Sequence, residues 1–372
     1  MSKKLVCLVS GGTGGHVFPA LALAEKLHKQ HHYTCLLTEA RGGSFTKSEN
    51  LTMVQRVPII KHSGFLSSLI YPLSMAWSAL YCLIMLGRMR PDVIIAFGGY
   101  PCVPVLLAAR VMRIPYVLHE SNAVLGRVNR AFAKGAKLLC TAYPNVKFAK
   151  AYEDKTVVTG SPVRSAIFSV RQQGYNLPAM EGYTAEKHRE QFNVLVVGGS
   201  QGARILSQIL PKAINRLPEG AKQSIYIQQQ CREEDIEELT KEYRRTGITA
   251  DIKTFFDDMH VRLGAAHLVI CRSGASTLAE LAIVGRPAIL IPYPSAADNH
   301  QHFNAQYFER EKAAVLLEQN DFLVERLYNT LQQLIDDNRR LVEMAKNMAR
   351  QGAVEASTNL SHALLSVTTK RK

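Results

Sequence analysis

The chain has 372 residues, 47% hydrophobic and 20% charged, with a formal net charge of +14. Such a length is too long for one ordinary core and suits two domains, and the composition is that of a globular protein. The charge is lopsided: residues 1–164 hold 20 Lys/Arg against 7 Asp/Glu, and residues 165–372 hold 25 against 24. An anionic partner is therefore expected mainly for the first part, be it a membrane surface, a nucleic acid or a phosphorylated substrate.

The seven cysteines, at positions 7, 35, 82, 102, 140, 231 and 271, are odd in number and form no CxxC pair. They read as reduced, buried thiols of a reducing compartment rather than a disulfide framework. The first apolar run, Leu5 to Val9, is too short for a signal-peptide core and stops at glycines, so nothing in it directs export.

In chain order, short runs rich in Val, Ile and Leu alternate with longer helical patterns, which predicts parallel sheets with crossover helices twice over. The first set of strands is expected near Leu5–Ser10, Thr34–Thr38, Val93–Phe97, Tyr116–His119, Leu138–Thr141 and Thr156–Thr159. The second is expected near Asn193–Val197, Ser224–Gln228, Asp251–Phe255, Leu268–Cys271, Ala288–Ile291 and Ala314–Leu317. Between them, residues 165–191 are polar, hold Gly174, Pro178 and Gly182, and lack sustained periodicity, so they read as a linker between domains 1–164 and 192–372. The helical tail from Asp321 to Leu365 is one that could cross back to the first domain.

Leu66 to Leu86 contains no charged residue, holds the only tryptophan, Trp77, and is followed by Arg88 and Arg90. It is long enough to span a bilayer, but Pro72 and four serines interrupt it, and a span would put strands of one sheet on opposite sides of a membrane. A wholly buried crossover helix is the second reading. The favoured one is an interfacial element, with Phe65, Leu66, Leu69, Ile70 and Trp77 entering the headgroup boundary while Lys61, Arg88 and Arg90 meet anionic lipid.

Four loops carry the chemistry. Strand Leu5–Ser10 runs into Gly11-Gly12-Thr13-Gly14-Gly15-His16 and a helix; Val93–Phe97 runs into Gly98-Gly99-Tyr100-Pro101. Val194–Val197 leads to Gly198-Gly199-Ser200-Gln201-Gly202-Ala203, and Leu268–Cys271 to Arg272-Ser273-Gly274-Ala275-Ser276-Thr277. Glycines let backbone N–H groups approach a phosphate, and a helix start adds favourable partial charge. The Lys-Ser/Thr of a P-loop and the GxGxxG spacing are both missing. A carboxylate one turn into the last helix, Glu280, has the reach for a ribose hydroxyl, although a plain early-turn acid favoured by the helix dipole explains it equally well.

These loops, together with His119-Glu120-Ser121-Asn122, Gly160-Ser161-Pro162-Val163-Arg164 and Asp298-Asn299-His300-Gln301, resemble the MurG family over nearly the whole chain and in order. The resemblance implies a GT-B fold, two Rossmann-like α/β domains with parallel sheets facing across a cleft, the first binding the acceptor and associating with membrane, the second binding the nucleotide sugar. It implies an inverting transfer of N-acetylglucosamine (GlcNAc) from UDP-GlcNAc to lipid I, the undecaprenyl-pyrophosphoryl-MurNAc-pentapeptide. The product is lipid II of peptidoglycan synthesis. It further implies a peripheral location on the cytoplasmic face of the inner membrane, beside other cell-wall synthesis proteins.

Carried over residue by residue, the likeness sets Ser200 and the Ala275 to Thr277 backbone on the diphosphate, with Leu278 and Ala279 continuing the donor run to Glu280 on the ribose. The Phe256 backbone lies by the uracil. Thr13, Gly14, Gly15 and Arg164 match donor-site positions, and Asn122 and Gln301 are those expected to contact the sugar. His16, beside the acceptor-side loop, is the candidate general base, since an ordinary imidazole is neutral near pH 7. Glu120 is the alternative base.

No tightly bound cofactor or metal is expected, with a divalent cation only as a stimulant of a diphosphate substrate. Asp257-Asp258 reads as a helix N-cap, and His300 and His302, two apart on a helix, face different ways. Two rivals remain at this stage. One is a nicotinamide-dependent oxidoreductase using Glu39 as its ribose acid. The other is a basic, non-catalytic membrane or nucleic-acid module, for which no RNP, KH or zinc-finger pattern speaks.

Overall fold

The computed structural model describes residues 3–39, 50–58, 67–171, 174–177, 191–199 and 203–368, with the backbone alone for 67–73. Ser200, Lys61, Phe65 and Leu66 lie outside the described residues, as do the side chains of Leu69 and Ile70. The chain divides into two compact units, one of Met1–Arg164 with Ala353–Lys372, the other of Ser165–Gly352.

The first unit runs β1 (Leu5–Val9), α1 (Gly14–Lys29), β2 (Tyr33–Thr38), β3 (Met53–Arg56), α2 (Ser67–Met89), β4 (Val93–Ala96), α3 (Cys102–Val111), β5 (Tyr116–Glu120), α4 (Arg127–Ala133), β6 (Leu138–Thr141) and β7 (Thr156–Val158). Its seven strands are ordered β3-β2-β1-β4-β5-β6-β7 and every pair is parallel. Ala20, Leu23, Ala24 and Leu27 repeat at helical spacing along α1 and are fully buried against Val6, Leu8, Leu36 and Ile95 of the sheet. Each such leucine contributes about 1.5–3 kcal/mol on burial. Lys26, His28 and Lys29 in the last turn of α1 complement its dipole.

The second unit contains α5 (Ser165–Arg171), β8 (Phe192–Val197), α6 (Arg204–Asn215), α7 (Glu219–Ser224), β9 (Ile225–Gln230), α8 (Ile236–Arg245), β10 (Thr249–Lys253), α9 (Met259–Ala265), β11 (Leu268–Cys271), α10 (Ala275–Val284), β12 (Ala288–Leu290), α11 (His300–Arg310), β13 (Ala314–Leu316), α12 (Leu323–Asp336) and α13 (Asn338–Arg350). Its parallel sheet is ordered β10-β9-β8-β11-β12-β13. The stretch expected to be wholly irregular opens with α5, whose Ile167 and Val170 are buried and which packs on α9 and α10.

The last helix, α14 (Ala356–Ser366), belongs to the first unit, where Leu360 and Leu364 join the core beside α1. Ser361 Oγ donates to Gln30 Oε1 at 2.6 Å. The start of this helix packs against Gly160, whose φ is +79° and where a Cβ would collide with the Ala353 side chain.

Strand order reverses between β1 and β4 in one sheet and between β8 and β11 in the other. In open parallel sheets ligands bind beyond the carboxyl ends of the strands at such a reversal. Gly11–Gly15 and Gly98–Gly99 follow β1 and β4, whereas Gly198–Gly199 and Ser273–Gly274 follow β8 and β11. Both reversals therefore carry two of the four loops.

Helix α2 is neither wholly buried nor a span. Cys82 and Leu86 are fully buried, while Trp77 (61% exposed), Leu80, Tyr81 and Ile84 face outward at i, i+3, i+4 and i+7. Strands on either side of α2 lie in one sheet, and no helix among the described residues is long and apolar enough to cross a membrane. All seven cysteines are buried and unpaired.

Candidate active site

In the first unit the two glycine loops pack backbone to backbone. Gly11 N–H donates to Gly98 O at 3.0 Å, and a Cβ on Gly99 would lie 2.9 Å from Gly11 Cα. Gly98 and Gly99 have φ of +91° and +89°, a region open to glycine and strained for other residues. The space left free of side chains is taken by His16: its Nδ1 would be 3.0 Å from a Cβ on Gly11, and its Nε2 3.4 Å from one on Gly98. Thr13 occupies the N-cap of α1 with extended backbone, yet its hydroxyl caps no helix N–H. Instead Thr13 Oγ1 is 3.1 Å from His16 Nδ1. Gly14 and Gly15 form the start of α1 itself.

At the end of β5, Glu120 is only 4% exposed, and both its oxygens are occupied. Oε1 accepts from the Asn122 backbone N–H and Nδ2, each at 3.0 Å; Oε2 accepts from Gly126 N–H at 2.8 Å and Asn129 Nδ2 at 2.9 Å. Burial pushes its carboxyl above the ordinary range, opposed by these four donors. The carboxylate thus fastens the turn Ser121–Gly126 and aims the Asn122 amide.

His119, fully buried, lies 3.1 Å from Gly160 O through Nε2 and 3.3 Å from Ser121 Oγ through Nδ1. A carbonyl only accepts, so Nε2 carries the proton and Nδ1 accepts from the serine. Burial lowers its pKa to about 4. The Arg164 guanidinium lies 4.4 Å from the Phe18 ring centroid, over the opening turns of α1.

In the second unit, Gly274 is the N-cap of α10 with φ −70° and ψ 137°. The first turn, Ala275 to Thr277, directs its backbone N–H groups out of the helix start, as helix geometry demands, giving a local seat for an anion. Leu278 is fully buried with its N–H donated to Gly274 O at 3.1 Å, Ala279 is partly exposed, and Glu280 is 8% exposed. Glu280 is the sixth residue of α10, a turn beyond the strongest dipole effect, so an early-turn role does not account for it.

Helix α11 is tied to this loop: Ser273 Oγ donates to Gln301 O at 2.8 Å and Asn304 Nδ2 to Ser273 O at 3.1 Å. Gln301 Oε1 accepts from Tyr293 N–H at 2.9 Å. Arg272 braces the neighbouring chain, donating through one nitrogen to Ile291 O (3.0 Å) and Pro292 O (2.8 Å) and through the other to Gln319 Oε1 (3.0 Å). Two consecutive residues, Asp298 and Asn299, take φ of +50° and +55° to turn the chain into α11.

Phe256, 2% exposed, follows β10 beneath the Arg262 guanidinium, which is 3.9 Å from the ring centroid. Arg262 also bonds Asp251 Oδ2 (2.6 Å), Asp258 Oδ1 (2.8 Å) and Gln228 Oε1 (2.9 Å). Asp258 stands at the N-cap of α9, but its carboxylate serves Arg262 rather than the helix N–H groups. His302 pairs with Glu318 at 3.1 Å. Among the described residues no group of three His, Cys, Asp or Glu side chains is placed to hold a metal ion.

Thr13, Gly14, Gly15, His16, Glu120, Asn122 and Arg164 thus lie on the strand ends, loops and opening helix turns at the carboxyl edge of the first unit's sheet; Phe256, Ala275–Glu280 and Gln301 do so in the second. Sequence reasoning missed Asn129, Arg262 and the bracing role of Arg272. A polar Asn between apolar helix positions, and an arginine four residues after an aspartate, were the available signals.

Residues 6–140 match the glycosyltransferase family 28 N-terminal domain and residues 193–360 its C-terminal domain. The UDP-N-acetylglucosamine–N-acetylmuramyl-(pentapeptide) pyrophosphoryl-undecaprenol N-acetylglucosamine transferase of Paramagnetospirillum magneticum is 43% identical, over 96% of each chain. The enzyme so named from Rhodospirillum centenum is 37% identical over 98% of this chain and 95% of its own. This chain belongs to the MurG family. The crystal structure of Acinetobacter baumannii MurG superimposes with a TM-score of 0.76 at 27% identity, over 98% of this chain and all of that one. Membership makes this MurG-family chain a hexosyltransferase of GT-B architecture, and it removes both the oxidoreductase and the non-catalytic readings. Glu39, the acid that invited the first, lies against its own glycine loop, 3.3 Å from Gly12 N.

Proposed function

We propose that the chain transfers GlcNAc from UDP-GlcNAc to the muramyl sugar of lipid I, giving lipid II. The observation that carries this reading is the pair of loops at each sheet reversal, in a chain with full-length MurG relatives. The acceptor hydroxyl gives its proton to His16 as its oxygen bonds to the anomeric carbon. The bond from that carbon to the UDP oxygen breaks, and its electron pair leaves with the diphosphate. A single displacement of this kind inverts the sugar from α to β.

With Nδ1 facing Thr13 Oγ1, Nε2 is the His16 nitrogen assigned to take the proton. Glu120 has both oxygens committed to donors and acts as the holder of Asn122. The first turn of α10, with Ser200 and Arg164, takes the charge that grows on departing UDP. Glu280 holds the ribose, the Phe256 backbone the uracil, and Asn122 and Gln301 the GlcNAc. A divalent cation is a stimulant carried with the diphosphate.

The enzyme works as a peripheral protein on the cytoplasmic face of the inner membrane. The exposed face of α2, with Val111 (71% exposed) and Leu107 of the adjoining α3, is apolar and flanked by Arg88, Arg90, Arg110 and Arg113. That combination suits an anionic bilayer surface. The deciding test is UDP release from UDP-GlcNAc with and without a lipid I analogue, for the native chain and His16→Ala. Acceptor-dependent release, lost in the variant, is the expected result; acceptor-independent release or none would overturn the reading.

A further inference from the structure

Beyond β12 the chain runs through Pro292-Tyr293-Pro294. Proline has no N–H and a fixed φ, and a residue before proline is confined to extended backbone. The single N–H of this tripeptide, that of Tyr293, therefore points in a direction set by the chain itself. The residues that follow keep it there. Ala296 N–H donates to Tyr293 O at 3.1 Å, closing a turn with Pro294 at its second position, and Asn299 N–H donates to Ala296 O at 2.8 Å, closing another. The left-handed pair Asp298 and Asn299 then starts α11, whose second residue, Gln301, returns its side chain to Tyr293 N.

Arg272 clamps this strap from the core side. Its guanidinium, 9% exposed, holds the carbonyls of Ile291 and Pro292 and lies 5.4 Å from the centroid of the Tyr293 ring. The carbonyl of Pro292 belongs to the same planar peptide unit as the Tyr293 N–H, so its 2.8 Å bond to the arginine orients that unit from the other end. Arg272 also directly precedes Ser273, whose hydroxyl donates to Gln301 O at 2.8 Å. Backbone and side chain of Gln301 are thereby both tied down.

A backbone N–H only donates, so the Gln301 atom that meets Tyr293 N at 2.9 Å is the oxygen, Oε1. Nε2 is consequently the end turned away, and it has no partner among the described residues. We infer that Tyr293 is a positioning residue for the donor sugar: its backbone N–H fixes the Gln301 amide so that Nε2 donates to a sugar oxygen, a hydroxyl or the acetamide carbonyl. The inference rests on the function proposed above, which sets Gln301 on GlcNAc. An amide fixed beforehand presents a donor in one direction and loses little further freedom when the sugar arrives, which strengthens binding of the sugar without touching the nucleotide.

The test uses the whole chain with Tyr293 replaced by its α-hydroxy acid, which puts an ester oxygen in place of that one N–H and leaves every side chain intact. Dissociation constants are measured for UDP, UDP-GlcNAc and UDP-glucose. The ester protein should bind UDP-GlcNAc about fivefold more weakly than the native chain, the effect of one neutral hydrogen bond, and bind UDP equally well. An equal loss for UDP-glucose would assign a hydroxyl as the partner of Nε2, and a loss for UDP-GlcNAc alone the acetamide carbonyl. Tyr293→Phe keeps the N–H and the ring beside Arg272, and should bind all three as the native chain does. UDP and UDP-GlcNAc weakened alike in the ester protein, neither weakened, or the same loss in Tyr293→Phe would overturn the positioning role. A native chain that transfers nothing from UDP-GlcNAc to a lipid I analogue would instead remove the function beneath it.

Discussion

The guanidinium of Arg262 lies flat against the Phe256 ring, 3.9 Å from its centroid, while two carboxylates and a glutamine amide hold it there. A nearly buried cation with partners on β9, on β10 and at the N-cap of α9 fixes the loop after β10, whose backbone is proposed to read the uracil. Arg262→Leu leaves Asp251 and Asp258 without their partner; both are partly solvated (27% and 49% exposed), so the cost is about 2 kcal/mol rather than that of a fully buried pair. A fall in thermal midpoint of about 4–8 °C is expected. KM for UDP-GlcNAc should rise about tenfold with little change in kcat. A lower midpoint with unaltered affinity for UDP would reduce the clamp to a purely structural role.

Glu120→Gln separates a base from a holder. The amide cannot accept at both ends, so two of the four donors around it lose their partner, and Asn122 loses its aim. Activity should drop by roughly a hundredfold. If Glu120 only positions, the acidic limb of the kcat/KM pH profile keeps its midpoint in this variant. His16→Ala, by contrast, should abolish the limb with the activity. A limb that moves or vanishes in Glu120→Gln would return the base to Glu120.

Twelve of the thirteen strands among the described residues were legible, the central ones because parallel strands buried on both faces read as unbroken Val/Ile/Leu runs. The exception, β3, is an exposed edge strand without an apolar run to detect: Met53, Val54 and Arg56 of Met53-Val54-Gln55-Arg56 are exposed. Glycine loops were equally plain, since nothing else fits where Gly11 and Gly99 meet. What stayed hidden was partnership over distance. The donors around Glu120, the seat of Arg262 on Phe256 and the bond from Ser361 to Gln30, 331 residues apart, leave no trace in spacing.

His119 ties stability to pH. Its folded pKa is about 4 against an ordinary 6.5, so between those values the unfolded chain binds a proton that the folded chain refuses. Stability is therefore complete above about pH 6.5 and is lost as pH falls toward 4, by an amount on the order of 3 kcal/mol. His267, also held at about 4 by burial, adds to the same window. Thermal midpoints measured from pH 7 to pH 4.5 should fall steadily, and His119→Gln, though less stable at pH 7, should show a shallower fall. An equal slope in the two proteins would mean that His119 is not the group responsible.

The outward residues of α2 touch solvent and not the core, so they can be changed without unfolding the unit. Trp77 and Ile84 are 61% and 52% exposed, and each leaves water by contacting an acyl layer with a gain of about 1–2 kcal/mol. Trp77→Ser/Ile84→Ser should weaken binding to anionic vesicles at least tenfold, since 1.4 kcal/mol is a factor of ten. Turnover of a short-chain, water-soluble acceptor should be unaffected. Adding salt should weaken vesicle binding further, because Arg88, Arg90, Arg110 and Arg113 act through screened charge. A double variant that binds vesicles like the native chain would move the membrane contact away from α2.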